Sequence, residues 1–170
     1  AAYDAAQRGL SVALVERGDF GGGLSFNHQR TLHGGVRDVG GLRLRKARRQ
    51  ALERRAWAVI APQLIRPLPF LIGTYGQTMR SKHALRAGLA VFDLVGRDRN
   101  QGIPPDLRLP RTRIEGAATT ARLFPGINER GLTGGAIWYD YQTVSPERLC
   151  WVIAAAAIQA GATLVNYAEV

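Results

Sequence analysis

Cysteines, long apolar runs and targeting segments are scarce or missing in this chain of 170 residues. The single cysteine, Cys150, cannot form an internal disulfide, which fits a reducing compartment. Its apolar neighbours on a helical pattern predict a buried, unreactive thiol. No apolar run approaches the ~20 residues that cross a bilayer, and no signal peptide opens the chain. These absences predict a cytoplasmic protein with at most peripheral contact with the cytoplasmic membrane.

Several catalytic and binding motifs are also missing. The sequence has no P-loop and no nucleophile elbow, and its scattered His28 and His83 belong to no group with metal-ligand spacing. It has no initiator Met, and it ends in a strand-like pattern, so we expect a fragment of a longer chain. Hydrophobic residues make up 46% of the sequence, which is enough for a folded core.

Lysine is scarce too, being confined to Lys46 and Lys82, yet arginine raises the formal net charge to +10. Much of this charge falls on a helix pattern at residues 43–55. Phosphate backbones or anionic lipids could bind such a helix. The helix lacks the interleaved aromatic residues that stack on bases, because Trp57 lies at its end. We favour a solvated helix face, and nucleic acid is not an expected partner.

The two ends of the chain carry a strand–helix–strand pattern. A helix is predicted over residues 1–8, a strand over 11–15 and a returning strand over 163–165. Ser145, Pro146 and Glu147 provide a capping side chain and an N1 proline for a helix that Gly161 ends. The long segment between the two ends does not continue this strand–helix pattern. The chain therefore predicts an α/β doubly wound domain that is interrupted by an insertion.

The middle of the chain predicts a helix over residues 42–60, a short buried or edge strand over 67–73 and a helix over 81–95. The two prolines of the strand restrict them to a sheet edge or to the start of the strand. A surface connection over 96–110, a short helix over 119–124 and a strand over 134–140 follow. The inward face of the 42–60 helix is predicted to consist of Leu44, Ala47, Ala51, Leu52, Ala56 and Val59.

Residues 11–37 carry the strongest functional pattern. Glu16 follows an apolar strand, where doubly wound nucleotide-binding folds present a carboxylate to a ribose hydroxyl. The phosphate-binding G-x-G-x-x-G loop would precede the first helix and is absent from this sequence. Farther along, His33, Gly34 and Gly35 could press backbone against a flat ring system, and Arg37 could bind a phosphate. Each of these residues also has a competing explanation. Glu16 could be a solvated glutamate, His33 could support the loop, the two glycines could simply form a turn, and Arg37 could form a salt bridge at a helix start.

The same residues resemble FAD-dependent glycerol-3-phosphate dehydrogenases, which belong to the D-amino-acid-oxidase-like flavoproteins. The H-G-G-x-R segment at 33–37 is the most specific part of a likeness that covers nearly the whole chain. The other matching segments are 4–12, 16, 24–28, 67–72, 75–76, 93–94, 98–100, 132–140 and 147–149. The resemblance implies a truncated, Rossmann-like FAD-binding domain at 1–66 and 141–170, interrupted by part of an α+β substrate domain at 67–140.

The resemblance also implies oxidation of sn-glycerol 3-phosphate, with hydride transfer to FAD and electrons passed to quinone. Its proton-accepting histidine would lie beyond residue 170, so no catalytic residue is assigned, and the chain alone is expected to be inactive. Arg37 would lie near the substrate phosphate. The implied FAD-binding residues are Glu16, Arg17, Ser25, Arg30, Thr31, Leu32, His33, Gly34 and Gly35.

One position departs from this family. Its members commonly have Leu-Arg-Tyr after the paired glycines, whereas this chain has Val36, Arg37 and Asp38. A carboxylate at the substrate would repel a phosphate dianion and change specificity. Related FAD-dependent oxidation of another hydroxy acid or amine, and a basic nucleic-acid- or lipid-binding module, are the alternative hypotheses.

Overall fold

The structure is a computed structural model that describes residues 1–76 and 79–170. It forms two compact units, Ala1–Arg30 with Thr143–Val170, and Thr31–Gln142. The second unit therefore includes residues 31–66, which the sequence assigns to the FAD-binding domain. Which domain performs which function stays a prediction. Within the described residues, no helix has the length and apolar character needed to cross a membrane.

Six helices and six strands carry the described fold. The helices are α1 (Ala2–Gln7), α2 (Val36–Gly40), α3 (Leu44–Ile60), α4 (Lys82–Val95), α5 (Ala117–Leu123) and α6 (Pro146–Gln159). The strands are β1 (Ala13–Val15), β2 (Thr31–Leu32), β3 (Ile65–Tyr75), β4 (Arg113–Gly116), β5 (Leu132–Thr143) and β6 (Thr163–Val165).

The first unit contains the predicted parallel strand pair. β1 and β6 run parallel, with Leu14 opposite Leu164. Helix α6 begins with Pro146, and Gly161, at φ +98°, follows its end. The predicted cap at Ser145 is wrong, because its hydroxyl bonds the Glu147 carboxylate instead of a backbone N–H. That hydrogen bond lowers the pKa of Glu147.

The second unit is built on β5, the longest strand. β2 and β4 pair with it in antiparallel fashion, and β3 is its other neighbour. β3 ends the strand order, which confirms that Pro67 and Pro69 lie in an edge strand, where a missing N–H is tolerated.

The core of this unit corrects the interpretation of residues 96–110 as a surface connection. Ile103, Leu107 and Leu109 are only 2–3% exposed and cluster with Ile65 and Tyr141. The Tyr141 hydroxyl donates to the Leu107 carbonyl at 2.7 Å, and burial raises its pKa to about 12. The prolines and charged residues of the segment are typical of a surface loop, but its apolar residues pack into the core.

The predicted inward face of α3 is wrong in part. Ala47 and Ala51 are buried as expected, but Leu44, Leu52, Ala56 and Val59 are not. The buried face follows Ala47, Ala51, Arg54 and Ala58 instead. Small residues, together with one arginine, therefore define the packed side of this helix.

The cations of α3 form the expected solvated face only in part, because Arg45 and Arg49 are exposed whereas others of the run bind a carboxylate of the protein. Arg48 and Arg55 both bind the Asp98 carboxylate, Arg48 Nη2 at 2.8 Å and Arg55 Nη1 at 2.9 Å. The hydrogen bond from Arg48, with the charges of both arginines, lowers the pKa of Asp98 to about 2. Part of the charge run is thus used within the protein, which weakens the support for a nucleic-acid- or lipid-binding helix.

The Asp98 cluster gives the protein an acid-sensitive contact. Because the pKa of Asp98 is depressed in the folded state, its contribution is present above about pH 4 and is lost as pH falls toward 2. We expect Asp98→Asn to cost about 1–2 kcal/mol of unfolding free energy at pH 7, discounted for partial exposure, and less at about pH 2.5. Urea unfolding at both pH values measures this. Equal losses at the two pH values would contradict the assignment, and Asp106→Asn is the control at an exposed carboxylate.

Candidate functional site

A cavity of about 620 Å³ lies within the first unit. Glu16 follows β1 and is half-buried on its wall, where its Oε1 accepts a hydrogen bond from the Gly18 N–H at 2.8 Å. Its backbone N–H donates to the Val165 carbonyl at 2.9 Å, which fixes the residue beside β6. A carboxylate can accept about four hydrogen bonds, so capacity for a ligand hydroxyl remains.

A glycine turn forms the facing part of this wall. Gly21 and Gly23 have φ values of +86° and +60°, a region that disfavours side chains. A Cβ on Gly21 would also come within 3.2 Å of the Glu147 backbone. The turn therefore requires glycine both for its conformation and for its close approach to α6.

Three of the four predicted cofactor residues in this unit share the cavity. Glu16, Arg17 and Ser25 line it, whereas Arg30 does not. Arg30 has φ +59°, donates its N–H to His28 Nδ1 at 2.8 Å and accepts from the Thr143 N–H at 2.8 Å. Cys150 is half-buried in the cavity wall, so the prediction of a buried thiol is wrong.

A second cavity, of about 670 Å³, lies within the second unit and contains both predicted substrate residues. His33, Gly35, Arg37 and Asp38 are part of its wall. Thr31 and Leu32 pair with Gln142 and Tyr141 of β5 and lie outside the wall. The remaining lining residues are Val36, Arg43, Lys46, Gln50, Phe70, Ile72, Leu85, Leu89, Ala136 and Trp138.

One side of this second cavity, which we call the substrate cavity after the prediction for Arg37 and Asp38, is cationic despite Asp38. The Asp38 carboxylate is buried and lies 2.8 Å from Arg43 Nε and 3.5 Å from Lys46 Nζ. With Arg37, the lining has three cations against one anion. Two cations that the sequence analysis did not connect with Asp38 therefore offset its charge, and the expected repulsion of a phosphate dianion stays a prediction.

The other side of the cavity is aromatic. Phe70 and Trp138 stack with ring centroids 5.2 Å apart and planes inclined by 11°. The His33 imidazole is 6.4 Å from the Phe70 ring and its side chain is 50% exposed. The cavity thus combines a cationic wall, an apolar wall and one imidazole that a ligand can reach.

Asp140 holds the His33–Gly34 segment from beneath. Its Oδ1 accepts the Gly34 N–H at 2.8 Å, and its Oδ2 lies 3.4 Å from His33 Nδ1. Because an ionised carboxylate only accepts, this contact requires a proton on Nδ1. Asp140 therefore holds the position of the His33 ring.

Arg54 completes this buried network. Its Nη1 binds Asp140 Oδ1 and donates to the Tyr139 carbonyl at 3.0 Å, and the side chains of Arg54 and Asp140 are each 1% exposed. The guanidinium carbon lies 5.6 Å from the Phe92 ring centre. A Cβ on Gly34 would fall 2.0 Å from Nη1, so this glycine makes room for the guanidinium.

Sequence reasoning assigns neither Arg54 nor Asp140 to the site. The charge run groups Arg54 with the solvated cations of α3, although it lies three residues after Ala51 and seven after Ala47 on the alanine face. Asp140 follows a run of apolar residues in β5, a pattern that could have drawn attention to it.

Comparison with known proteins identifies the family. The model of the FAD dependent oxidoreductase family matches residues 1–170. The chain belongs to this family. FAD as the cofactor and the predicted fold class are thereby confirmed, and no group of residues suited to a metal ion occurs in the described parts of the chain.

Curated members of the family resemble the chain over almost its full length. A glycerol-3-phosphate dehydrogenase of Synechocystis is 32% identical over 99% of this chain, and glycerol-3-phosphate dehydrogenase 1 of Mycobacterium tuberculosis is 36% identical over 98%. The chain spans only 29% and 32% of these relatives' lengths. These similarities confirm the resemblance inferred from the sequence.

A solved structure of the family has the same fold. Glycerol-3-phosphate dehydrogenase from Bacillus halodurans, determined in complex with FAD, superposes with a TM-score of 0.62 at 24% identity. The match covers 99% of this chain and 24% of that protein. At this identity the likeness supports the fold and not the substrate.

Proposed function

We propose that the protein carrying this chain oxidises sn-glycerol 3-phosphate to dihydroxyacetone phosphate with FAD and passes the electrons to quinone. The observation that carries the proposal is the substrate cavity, in which three cations against one carboxylate adjoin an accessible imidazole. The similarity to glycerol-3-phosphate dehydrogenases supports it. A quinone acceptor implies a cytoplasmic protein that contacts the membrane surface, and this localisation is part of the proposal.

The cavity of the first unit fits one part of FAD. A carboxylate at a strand end, a glycine turn and apolar side chains from β1, β6 and α6 suit a ribose and the ring next to it. We assign Glu16 to the ribose hydroxyls, with Arg17, Ser25 and Arg30 along the cofactor. FAD held there would supply the hydride acceptor for the oxidation.

The His33 segment fits the flavin end of the cofactor. Thr31, Leu32, Gly34 and Gly35 would present backbone to the ring, and Asp140 holds this segment through the Gly34 N–H. His33 Nε2 would accept the hydrogen bond from the substrate hydroxyl and so orient the carbon that loses hydride. The proton acceptor expected beyond residue 170 stays a prediction.

The cationic wall would bind the phosphate group. Arg37 has the planar fork that matches two phosphate oxygens. Asp38 would act indirectly, because it holds Arg43 and Lys46 by ion pairs at the edge of the cavity. Charge neutralisation within this group leaves the net positive field that a phosphate dianion requires.

A second candidate is oxidation of another anionic hydroxy acid or amine by the same chemistry. The stacked Phe70 and Trp138 favour it, because a three-carbon polyol phosphate has little apolar surface to place against two aromatic rings. A substrate with an apolar group beside its anion would use both walls.

The test compares substrates in the full-length, flavin-loaded protein. We expect reduction of the flavin by glycerol 3-phosphate, and we expect Arg37→Gln to raise KM by about 10-fold to 100-fold, as for loss of a charge-assisted phosphate contact, with a smaller change in kcat. Arg122→Gln removes an exposed arginine outside the cavity and is the control. Flavin that is reduced by a hydroxy acid or amine and not by glycerol 3-phosphate would establish the second candidate.

A further inference from the structure

The structure assigns a second anion site to the second unit, in a cavity whose lining is separate from that of the substrate cavity. We propose that it binds a phosphate or phosphomonoester group. The cavity measures about 730 Å³ and adjoins the end of α4. We call it the arginine cavity, because its lining includes Arg97, Arg99, Arg108 and Arg111.

The arginine cavity has too few carboxylates to neutralise its cations. Asp93 is its one acidic lining residue. Its Oδ1 lies 3.0 Å from Arg99 Nη2, and its Oδ2 accepts from the Thr112 N–H at 3.2 Å and the Thr112 hydroxyl at 2.9 Å. Asp93 therefore offsets Arg99, which leaves three positive charges in excess on the wall.

Arg99 is a buried cation of the arginine cavity that hydrogen bonds hold in place. Its side chain is 9% exposed, and its Nη1 donates to the Gly96 carbonyl at 3.3 Å. Burial lowers the pKa of Arg99, and the positive charges of Arg54 and Arg111 lower it further. An anion bound between Arg99 and Arg111 would relieve this repulsion and lose little entropy in ordering Arg99.

Hydrogen bonds also hold the segment that carries Arg108 in place. Asn100 Nδ2 donates to the Leu109 carbonyl at 2.9 Å, and the Leu109 N–H donates to Asn100 Oδ1 at 2.8 Å. Arg108 Nε donates to the Ile103 carbonyl at 3.2 Å, which leaves its two terminal nitrogens to bind a ligand. Four guanidinium groups thus line one cavity, and such a set of donors suits the several oxygens of a phosphate.

Equilibrium dialysis of the full-length holoenzyme with radiolabelled inorganic phosphate tests the proposal. We expect two binding sites per chain. Arg97→Gln/Arg111→Gln should weaken one of them by at least about tenfold, since two charge-assisted contacts are lost, and Arg37→Gln should weaken the other. Arg122→Gln/Arg130→Gln removes the same charge from exposed positions outside both cavities. A single site lost with Arg37→Gln, or equal weakening by the two double variants, would overturn the proposal.

A second arm identifies the source of the phosphate group. Vesicles with phosphatidic acid present phosphomonoesters, and vesicles of phosphatidylcholine alone are the reference. A lipid headgroup would be indicated if the protein sediments with the phosphatidic acid vesicles, if free phosphate reverses this binding, and if Arg97→Gln/Arg111→Gln abolishes it. Phosphate binding at two sites without such sedimentation would indicate a soluble phosphate. Sedimentation that persists in the double variant would contradict a role for this cavity at membranes.

Discussion

Replacing Arg54 with methionine is expected to lower the free energy of unfolding by about 3–5 kcal/mol, which is the usual cost of breaking a buried ion pair. The substitution keeps an unbranched apolar side chain at a buried position, but it removes the guanidinium group that lies 5.6 Å from the Phe92 ring centre. It removes the cation from a carboxylate whose side chain is 1% exposed. Asp140 would then be buried with its charge uncompensated, or it would take up a proton and lose its fixed geometry.

Urea unfolding of the purified protein measures this loss. Arg49→Met is the matched control, because Arg49 pairs with Glu53 at 2.8 Å on the exposed side of the same helix. An exposed pair of this kind contributes about 0.5 kcal/mol or less. A cost for Arg54→Met no larger than that of Arg49→Met would show that the buried pair does not stabilise the fold.

A companion variant separates two effects: the loss of stability from an unpaired buried charge, and the loss of the hydrogen bonds that Asp140 makes. Arg54→Met/Asp140→Leu removes both charges, and well-packed apolar replacements of a buried pair are often nearly neutral. We expect it to be more stable than Arg54→Met alone. It should still impair substrate oxidation, because Asp140 would no longer accept the Gly34 N–H or orient His33. Relative to Arg54→Met, the double variant would therefore regain stability without regaining activity.

The elements predicted most accurately from the sequence are those whose determinants are local. Pro146 at the first helical position and Gly161 just past the end predict the limits of α6 to within about two residues. The limits of α6 therefore need no knowledge of distant residues. The parallel pairing of β1 with β6 joins residues 150 positions apart, and it agrees with the doubly wound domain that the patterns at the two ends of the chain predict.

The errors arise where distant residues decide burial. Arg54 is buried because Asp140, 86 positions later, neutralises it, and a helical pattern by itself cannot show that partner. The neutralisation of Asp38 is missed for a different reason. Arg43 and Lys46 are near it in sequence, but a residue pattern does not show that the connection from α2 to α3 brings their charged groups to the carboxylate. For the candidate site, the sequence identifies His33 and Arg37 on the cavity wall but not the network beneath them.

Gly34→Ala is expected to have a second large effect, because no space exists for even one methyl group. The added Cβ would lie 2.0 Å from Arg54 Nη1 and 2.4 Å from its Cζ. The guanidinium cannot move aside cheaply, since Asp140 and the Tyr139 carbonyl hold it. We expect a cost of about 3 kcal/mol or more in unfolding free energy, from overpacking and loss of the ion pair.

A double-mutant cycle shows whether the guanidinium is the obstacle. In an Arg54→Ala background the space beside Gly34 is open, so the further cost of Gly34→Ala should fall below about 1 kcal/mol, a strong departure from additivity. Gly40→Ala is the control, because nothing lies within 4 Å of the position that its methyl group would occupy, and its cost should be small in both backgrounds. Equal costs of Gly34→Ala in the two backgrounds would contradict the contact. The predicted coupling would mean that the glycine beside His33 is required by the buried arginine, and not only by a ligand in the cavity.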